Sequence, residues 1–101
     1  MKIISSQRYI NYSIVDSKIE EIKDQTTVYL PIIDAEMTDD EGNDLYILID
    51  GHHTKEAAEE LGINIEYEEI ENYFDLTGDD LLMNCYMDSN WYYIDTGRNV
   101  W

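Results

Sequence analysis

Apolar and polar positions along this chain follow two different periods, and the changes of period mark its elements. Loose alternation from Met1 to Val15, carrying Tyr9, Ile10, Tyr12, Ile14 and Val15, predicts a strand within residues 8–15. Ser17-Lys-Ile-Glu20 fits a capping box, and Ile19 and Ile22 then share one side of a short helix ending near Asp24. Val28 to Ile33 reads as a second strand. Pro31 within it offers no N–H, which predicts an edge position or a bulge. The turn-forming residues Thr38 to Asp44 predict a hairpin connection into Leu45–Ile49, whose continuous apolar run suits a strand covered on both faces. From Thr54 to Leu61 the period becomes helical, with Ala57, Ala58 and Leu61 facing inward and Gly62 placed for a left-handed cap. Ile63, Ile65 and Tyr67 alternate with Asn64, Glu66 and Glu68, the pattern of a half-exposed strand.

The last third is punctuated by Asp75 to Asp80. A short helix is predicted over 80–87 with Leu81, Leu82 and Cys85 inward, then a strand over Trp91–Ile94 and a turn over Thr96–Asn99. There is no internal repeat and no low-complexity linker. The 101 residues predict one α+β domain, residues 1–101, with a small mixed sheet and one strand–turn–helix unit.

Composition narrows the partners. Six basic residues stand against 23 acidic ones, a formal charge of −17. Such a charge opposes direct contact with DNA or RNA, whose backbones require Lys and Arg. It favours a basic partner or cations, or serves solubility alone. The single cysteine, Cys85, excludes an internal disulfide and reads as a small buried apolar group. No run is long enough for a membrane span and no signal-peptide pattern opens the chain, so a cytoplasmic protein is expected.

The candidate chemistry lies in Ile49-Asp-Gly-His-His-Thr-Lys-Glu-Ala-Ala-Glu-Glu-Leu-Gly-Ile63. A strand, a glycine turn and a helix N-terminus meet there, an arrangement that offers backbone N–H groups to phosphate. The stretch resembles the central motif of the ParB N-terminal domain and sulfiredoxin-like superfamily, in which a strand leads into Asp-Gly-His-Arg or Asp-Gly-His-His-Arg and an alanine-rich helix ends in Leu-Gly. The resemblance implies a small ParB/sulfiredoxin-like fold and a nucleotide with Mg2+ as cofactor. By position it implies Gly51 as the close approach to phosphate and the N–H groups of His53, Thr54 and Lys55 as its donors. The Thr54 hydroxyl becomes donor or cap, His52 or His53 a donor or proton carrier, and Asp50 a metal ligand or histidine orienter.

This chain departs from the family pattern in three ways. Thr54 stands where the family carries an arginine, whose planar fixed charge threonine cannot replace. Lys55, one residue on, points about 100° away around a helix. His52 occupies the place of the sulfiredoxin cysteine, so cysteine-dependent sulfinic acid reduction is not expected. Nor is there room for the helix–turn–helix of full-length ParB. A plainer reading of the same residues stays open: Gly51 as a tight turn, Thr54 as an N-cap worth about 1 kcal/mol, and the histidines as hydrogen-bonding the turn.

Other chemistry is poorly supported. Adjacent histidines make a poor zinc pair, and Asp39 to Asp44 fails EF-hand spacing. No nucleophile elbow or Walker loop occurs. The carboxylates are more informative as a surface. Glu56, Glu59 and Glu60 on the motif helix, Glu66, Glu68 and Glu69 on the next strand, and Asp79 and Asp80 beyond it form a candidate acidic interface. Tyr73 and Trp91 are its candidate aromatic anchors. Two functions are therefore expected. One is a non-catalytic acidic module (an inhibitor, immunity protein or DNA mimic) directed at a basic nucleic-acid-processing protein. The other is a nucleotide-binding domain with ATPase, CTPase or nuclease activity.

Overall fold

The computed structural model describes all 101 residues, Met1–Trp101. In chain order the elements are β1 (Lys2–Ser5), α1 (Tyr12–Ile22), β2 (Thr27–Thr38), β3 (Asp44–Leu48), α2 (His52–Leu61), β4 (Asn64–Glu69), α3 (Gly78–Cys85) and β5 (Tyr92–Tyr93). The five strands form one mixed sheet in the order β4-β2-β3-β1-β5. β1 runs parallel to β3 and β4 parallel to β2, while the β2–β3 and β1–β5 pairs are antiparallel. The fold class is thus α+β, as the patterning predicts. No helix is long and apolar enough to cross a membrane.

Strand alternation sends successive side chains to opposite faces, and helices cover both. Ile33, Ala35, Leu45, Ile47 and Ile4 point to one face, where Leu81 and Leu82 of α3 complete the main core. Val28, Leu30, Ile32 and Leu48 point to the other. There α2 lays Ala57 and Ala58 down, and α1 packs on α2 through Val15 and Ile22. The small Ala57 and Ala58, both fully buried, let the two helices approach closely.

Several sequence expectations are corrected. Residues 8–15 are not a strand: the chain pairs earlier, at Lys2–Ser5, and from Tyr12 it is helical. The stripe Val15, Ile19, Ile22 has helical spacing and packs on α2, which outweighs the short-range alternation that mimics a strand. The helix is capped by Asn11, whose side chain accepts from Ser13 N–H (3.0 Å). Ser17 lies mid-helix and donates to the Ser13 carbonyl (3.2 Å), so it does not start a capping box. Pro31 occupies an interior strand, not an edge. Its carbonyl accepts from Ile49 N–H (3.1 Å), so the missing N–H also faces β3, where that strand is leaving the ladder. Tertiary pairing tolerates proline there because little pairing remains to be lost. A bulge does occur in β2, between Asp34 and Thr38, with Glu36 at φ 53.

Leu61 is 38% exposed rather than inward. Gly62 caps α2 in the left-handed region (φ 73), as predicted. The short helix begins earlier than expected, at Gly78, and the last strand reduces to Tyr92–Tyr93. The predicted 38–44 hairpin loop is present, built around Asp39. Its carboxylate accepts from the Glu41 and Asn43 N–H groups, the Asn43 side chain and the Tyr93 hydroxyl (2.6 Å). These donors hold the Asp39 carboxyl well below its ordinary range, the Tyr93 hydroxyl foremost, and the same bond pushes Tyr93 up to about 12.

Candidate functional site

The parallel strands β1 and β3 end side by side, and α2 starts directly beyond them. Gly51 makes the turn, at φ 92. The left-handed backbone favours glycine there, and a Cβ would stand 2.8 Å from Leu30 Cδ2, so the end of that side chain would have to shift. α2 therefore starts at His52 with Gly51 as its cap, and Thr54 lies inside the first turn rather than at the N-cap. Asp50 is exposed and accepts from its own neighbour, Gly51 N–H (2.7 Å).

Both histidines are engaged. His52 Nε2 lies 2.6 Å from Ser5 Oγ. Gln7 N–H donates to the same oxygen (3.0 Å), and the direction of the Ser5–His52 bond follows the tautomer of the ring. Burial lowers His52 to about 4, against the opposing pull of Asp50 and Asp88, so the ring is neutral near pH 7. His53 Nε2 accepts from Asn11 N–H (3.1 Å), tying the start of α1 to the start of α2. One histidine thus secures the end of β1 and the other secures α1.

Three openings surround this junction. The first, about 300 Å3, lies beyond the carboxyl ends of β1 and β3, where open sheets commonly hold ligands. Ser5, Ser6 and His52 line its polar side, and Phe74, Cys85 and Trp91 its apolar side. Burial pushes the Cys85 thiol up, which favours its protonated form. The second opening, about 130 Å3, is wholly polar and lies at the helix N-terminus among Gly51, His52, His53 and Thr54. Lys18 of α1 and Gln7 close it, with Asp50 beside them. The third, about 230 Å3, is bordered by Lys55, Glu56 and Arg8. Lys55 therefore faces away from the phosphate-loop position. Its Nζ pairs with Glu59 (2.6 Å), and its N–H is spent on the Gly51 carbonyl (2.8 Å). Of the expected donors His53, Thr54 and Lys55, the first two line the polar opening together with His52, and the nearby cation is Lys18, paired with Glu21 (3.4 Å). No group of three or more His, Cys, Asp or Glu side chains converges as a metal site.

The candidate interface residues are spread over α2, β4, α3 and the segments around them. Glu59 and Glu60 are exposed on α2 and Glu56 is half-exposed; Glu66, Glu68 and Glu69 are exposed on β4, the edge strand. Asp79 and Asp80 are exposed in the first turn of α3, on the opposite sheet face from α2. Tyr73 is exposed and stacks on Phe74, with ring centroids 4.5 Å apart. Of the ten residues, the structure brings Asp79 and half-buried Trp91 into one depression. Ion pairing is sparse: Lys2–Asp95, Lys18–Glu21, Lys23–Glu20 and Lys55–Glu59 are the four salt bridges, so most of the 23 carboxylates have no cation. The resulting field is felt by Tyr46, whose hydroxyl is raised first by Asp34 and further by burial, Glu69 and Asp44.

Comparison with known proteins finds no matching family model, curated protein or solved structure. The site therefore stands on its own geometry. Sequence reasoning missed Ser5, Gln7, Asn11 and Lys18, which reach the junction from distant elements and carry no local pattern. It also missed Met83, Tyr86 and Trp101, which share the depression of Asp79 and Trp91. A signal for the first two was present, since Asp79, Leu82, Met83 and Tyr86 repeat at helical spacing.

Proposed function

We propose that this chain is a non-catalytic acidic binding module that occupies a basic site on a nucleic-acid-processing protein, as an inhibitor, immunity protein or DNA mimic does. One observation carries the reading: the basic residues are segregated along the chain. No Lys or Arg occurs between Lys55 and Arg98, a stretch that supplies the outer side of α2, the edge strand β4 and all of α3. Carboxylates without counter-ions repel one another, and a cationic partner relieves that repulsion as it binds. The engagement of His52 and His53 in holding β1 and α1 supports a scaffold role for the motif.

The test is titration against a panel of basic nucleic-acid-binding proteins at low and high salt, with duplex DNA as competitor. The expected result is a complex that DNA displaces and that weakens as salt screens the charges. Amides at Glu66, Glu68 and Glu69 should weaken it too. A complex indifferent to salt and to those amides overturns the reading.

The second reading, a ParB/sulfiredoxin-like nucleotide-binding domain, is favoured by a different observation: Lys18 beside the N–H groups of His52, His53 and Thr54. It supplies from α1 a cation that the missing arginine would otherwise provide. Mg2+ would there be held by Asp50 together with the nucleotide's own phosphates, and would neutralise their charge. Thermal shifts with CTP, ATP and GTP, with and without Mg2+, decide it. A ligand at 100 times its Kd should stabilise by about 2.7 kcal/mol, and Lys18→Ala should remove the shift. No shift with any of the three ends this reading.

A further inference from the structure

Asp79 and Met83 of α3, the edge of buried Leu82, and Tyr86 just past the helix end line a shallow depression of about 650 Å3 together with Trp91 and Trp101. Its lining is apolar apart from Asp79. Met83 is 78% exposed, Tyr86 54% and Trp101 52%. Large apolar side chains grouped in this way mark an interaction surface. We infer that this depression receives the apolar face of a basic amphipathic helix from a partner protein, an inference that rests on the acidic-module reading above.

Three observations commit it to that occupant. The first is hydrogen bonding. The surface consists of side chains from one helix, the tyrosine that follows it and two tryptophans, and none of these lies in a strand. An extended segment laid on it would bury backbone groups without partners, whereas a helix satisfies its own. The second is shape. Asp79, Leu82 and Met83 stand at i, i+3 and i+4 on α3, the spacing by which one helix meets another, and Tyr86 extends the surface past the helix end. Methionine at the most exposed position adapts to varied apolar side chains. The third is charge. Asp79 and Asp80 stand at the start of α3 with no basic counter-ion among the salt bridges. Lys and Arg flanking the apolar stripe of an incoming helix find carboxylates there. A second copy of this chain would instead bring a formal charge of −17 against another of −17.

Both tryptophans of the chain, Trp91 and Trp101, line the depression, so intrinsic fluorescence reports on it directly. The probes are a synthetic Leu/Lys peptide with leucines at i, i+3, i+4 and i+7 and a peptide of the same composition in scrambled order. The amphipathic peptide should bind roughly tenfold tighter or better, with a blue-shifted tryptophan emission. Met83→Glu should remove that preference, and its added charge should not weaken the scrambled peptide's binding. Amides at Glu66, Glu68 and Glu69 should weaken both peptides alike. Equal affinity for the two peptides overturns the helix-docking inference and leaves the acidic-module reading standing. A preference that survives Met83→Glu also overturns the inference, as does a dimer in sedimentation that Met83→Glu dissociates. Binding of neither peptide overturns the inference, whereas the acidic-module reading is judged separately on the basic-protein panel.

Discussion

The α2 N-terminus and the outer side of α3 are opposites in how they use their side chains. At the first, Gly51 is locked by Leu30, His52 by Ser5 and His53 by Asn11, so a conspicuous motif is consumed in joining β1, α1 and α2. At the second, Met83, Tyr86 and Trp101 have no apparent packing duty and remain exposed. The most recognisable residues of a chain can therefore be its fasteners, while a surface with no named motif keeps its side chains free for a partner.

The comparison can be broken most forcefully from beneath α3. Leu81 is fully buried and joins that helix to the sheet. Leu81→Ala should cost about 3–5 kcal/mol through lost burial and a residual cavity, measured by urea denaturation. A loss under about 1 kcal/mol would mean that α3 is not anchored as described.

Gly51→Ala comes next. It places a side chain in the left-handed region and drives Cβ towards Leu30, for an expected loss of about 2–4 kcal/mol in the same assay. A neutral substitution would remove the close-packing account of the turn.

His52→Asn sharpens the contrast through pH. The ring's folded value, about 4, lies below the ordinary 6.5, so the unfolded chain takes up a proton first as pH falls. That contribution leaves stability unaffected above pH 6.5 and erodes it as the pH falls from 6.5 towards 4. The loss is at most roughly 3 kcal/mol, reduced by solvent screening of the half-exposed ring. The variant should lose about 1 kcal/mol at neutral pH with the Ser5 contact, and the gap to wild type should narrow on acidification. A gap independent of pH would show that His52 is not held neutral by burial.

Met83→Ser should be the mildest change, within about 0.5 kcal/mol of wild type, because the side chain is exposed. A larger loss would show that the side chain supports the fold and is not free for a partner.

Much of the middle of the chain was legible from residues alone. The run Leu45–Ile49 reads as a strand covered on both faces, Ala57 and Ala58 as a buried helix face, and Gly62 as a left-handed cap, because each depends on neighbours within a turn or two. The N-terminal third was misread for the complementary reason. Tyr9 to Val15 satisfies a strand pattern locally, and the helix prevails only because Val15, Ile19 and Ile22 find α2 to pack against. The candidate site divides the same way. Gly51, His52 and His53 were visible as a group, but their partners Ser5 and Asn11 lie 47 and 42 residues away, and Lys18 reaches the junction from another helix.

By itself the sequence determined the α+β class, the strand–glycine–helix junction and an excess of negative charge, since these follow from short-range periodicity, backbone preference and composition. Only the tertiary structure decided that β2 is interior despite Pro31, that both motif histidines are engaged, and that Trp91 and Trp101 line one depression with α3. Each of those outcomes depends on which distant segments pack together, and a residue's local pattern carries no record of its partner across the fold.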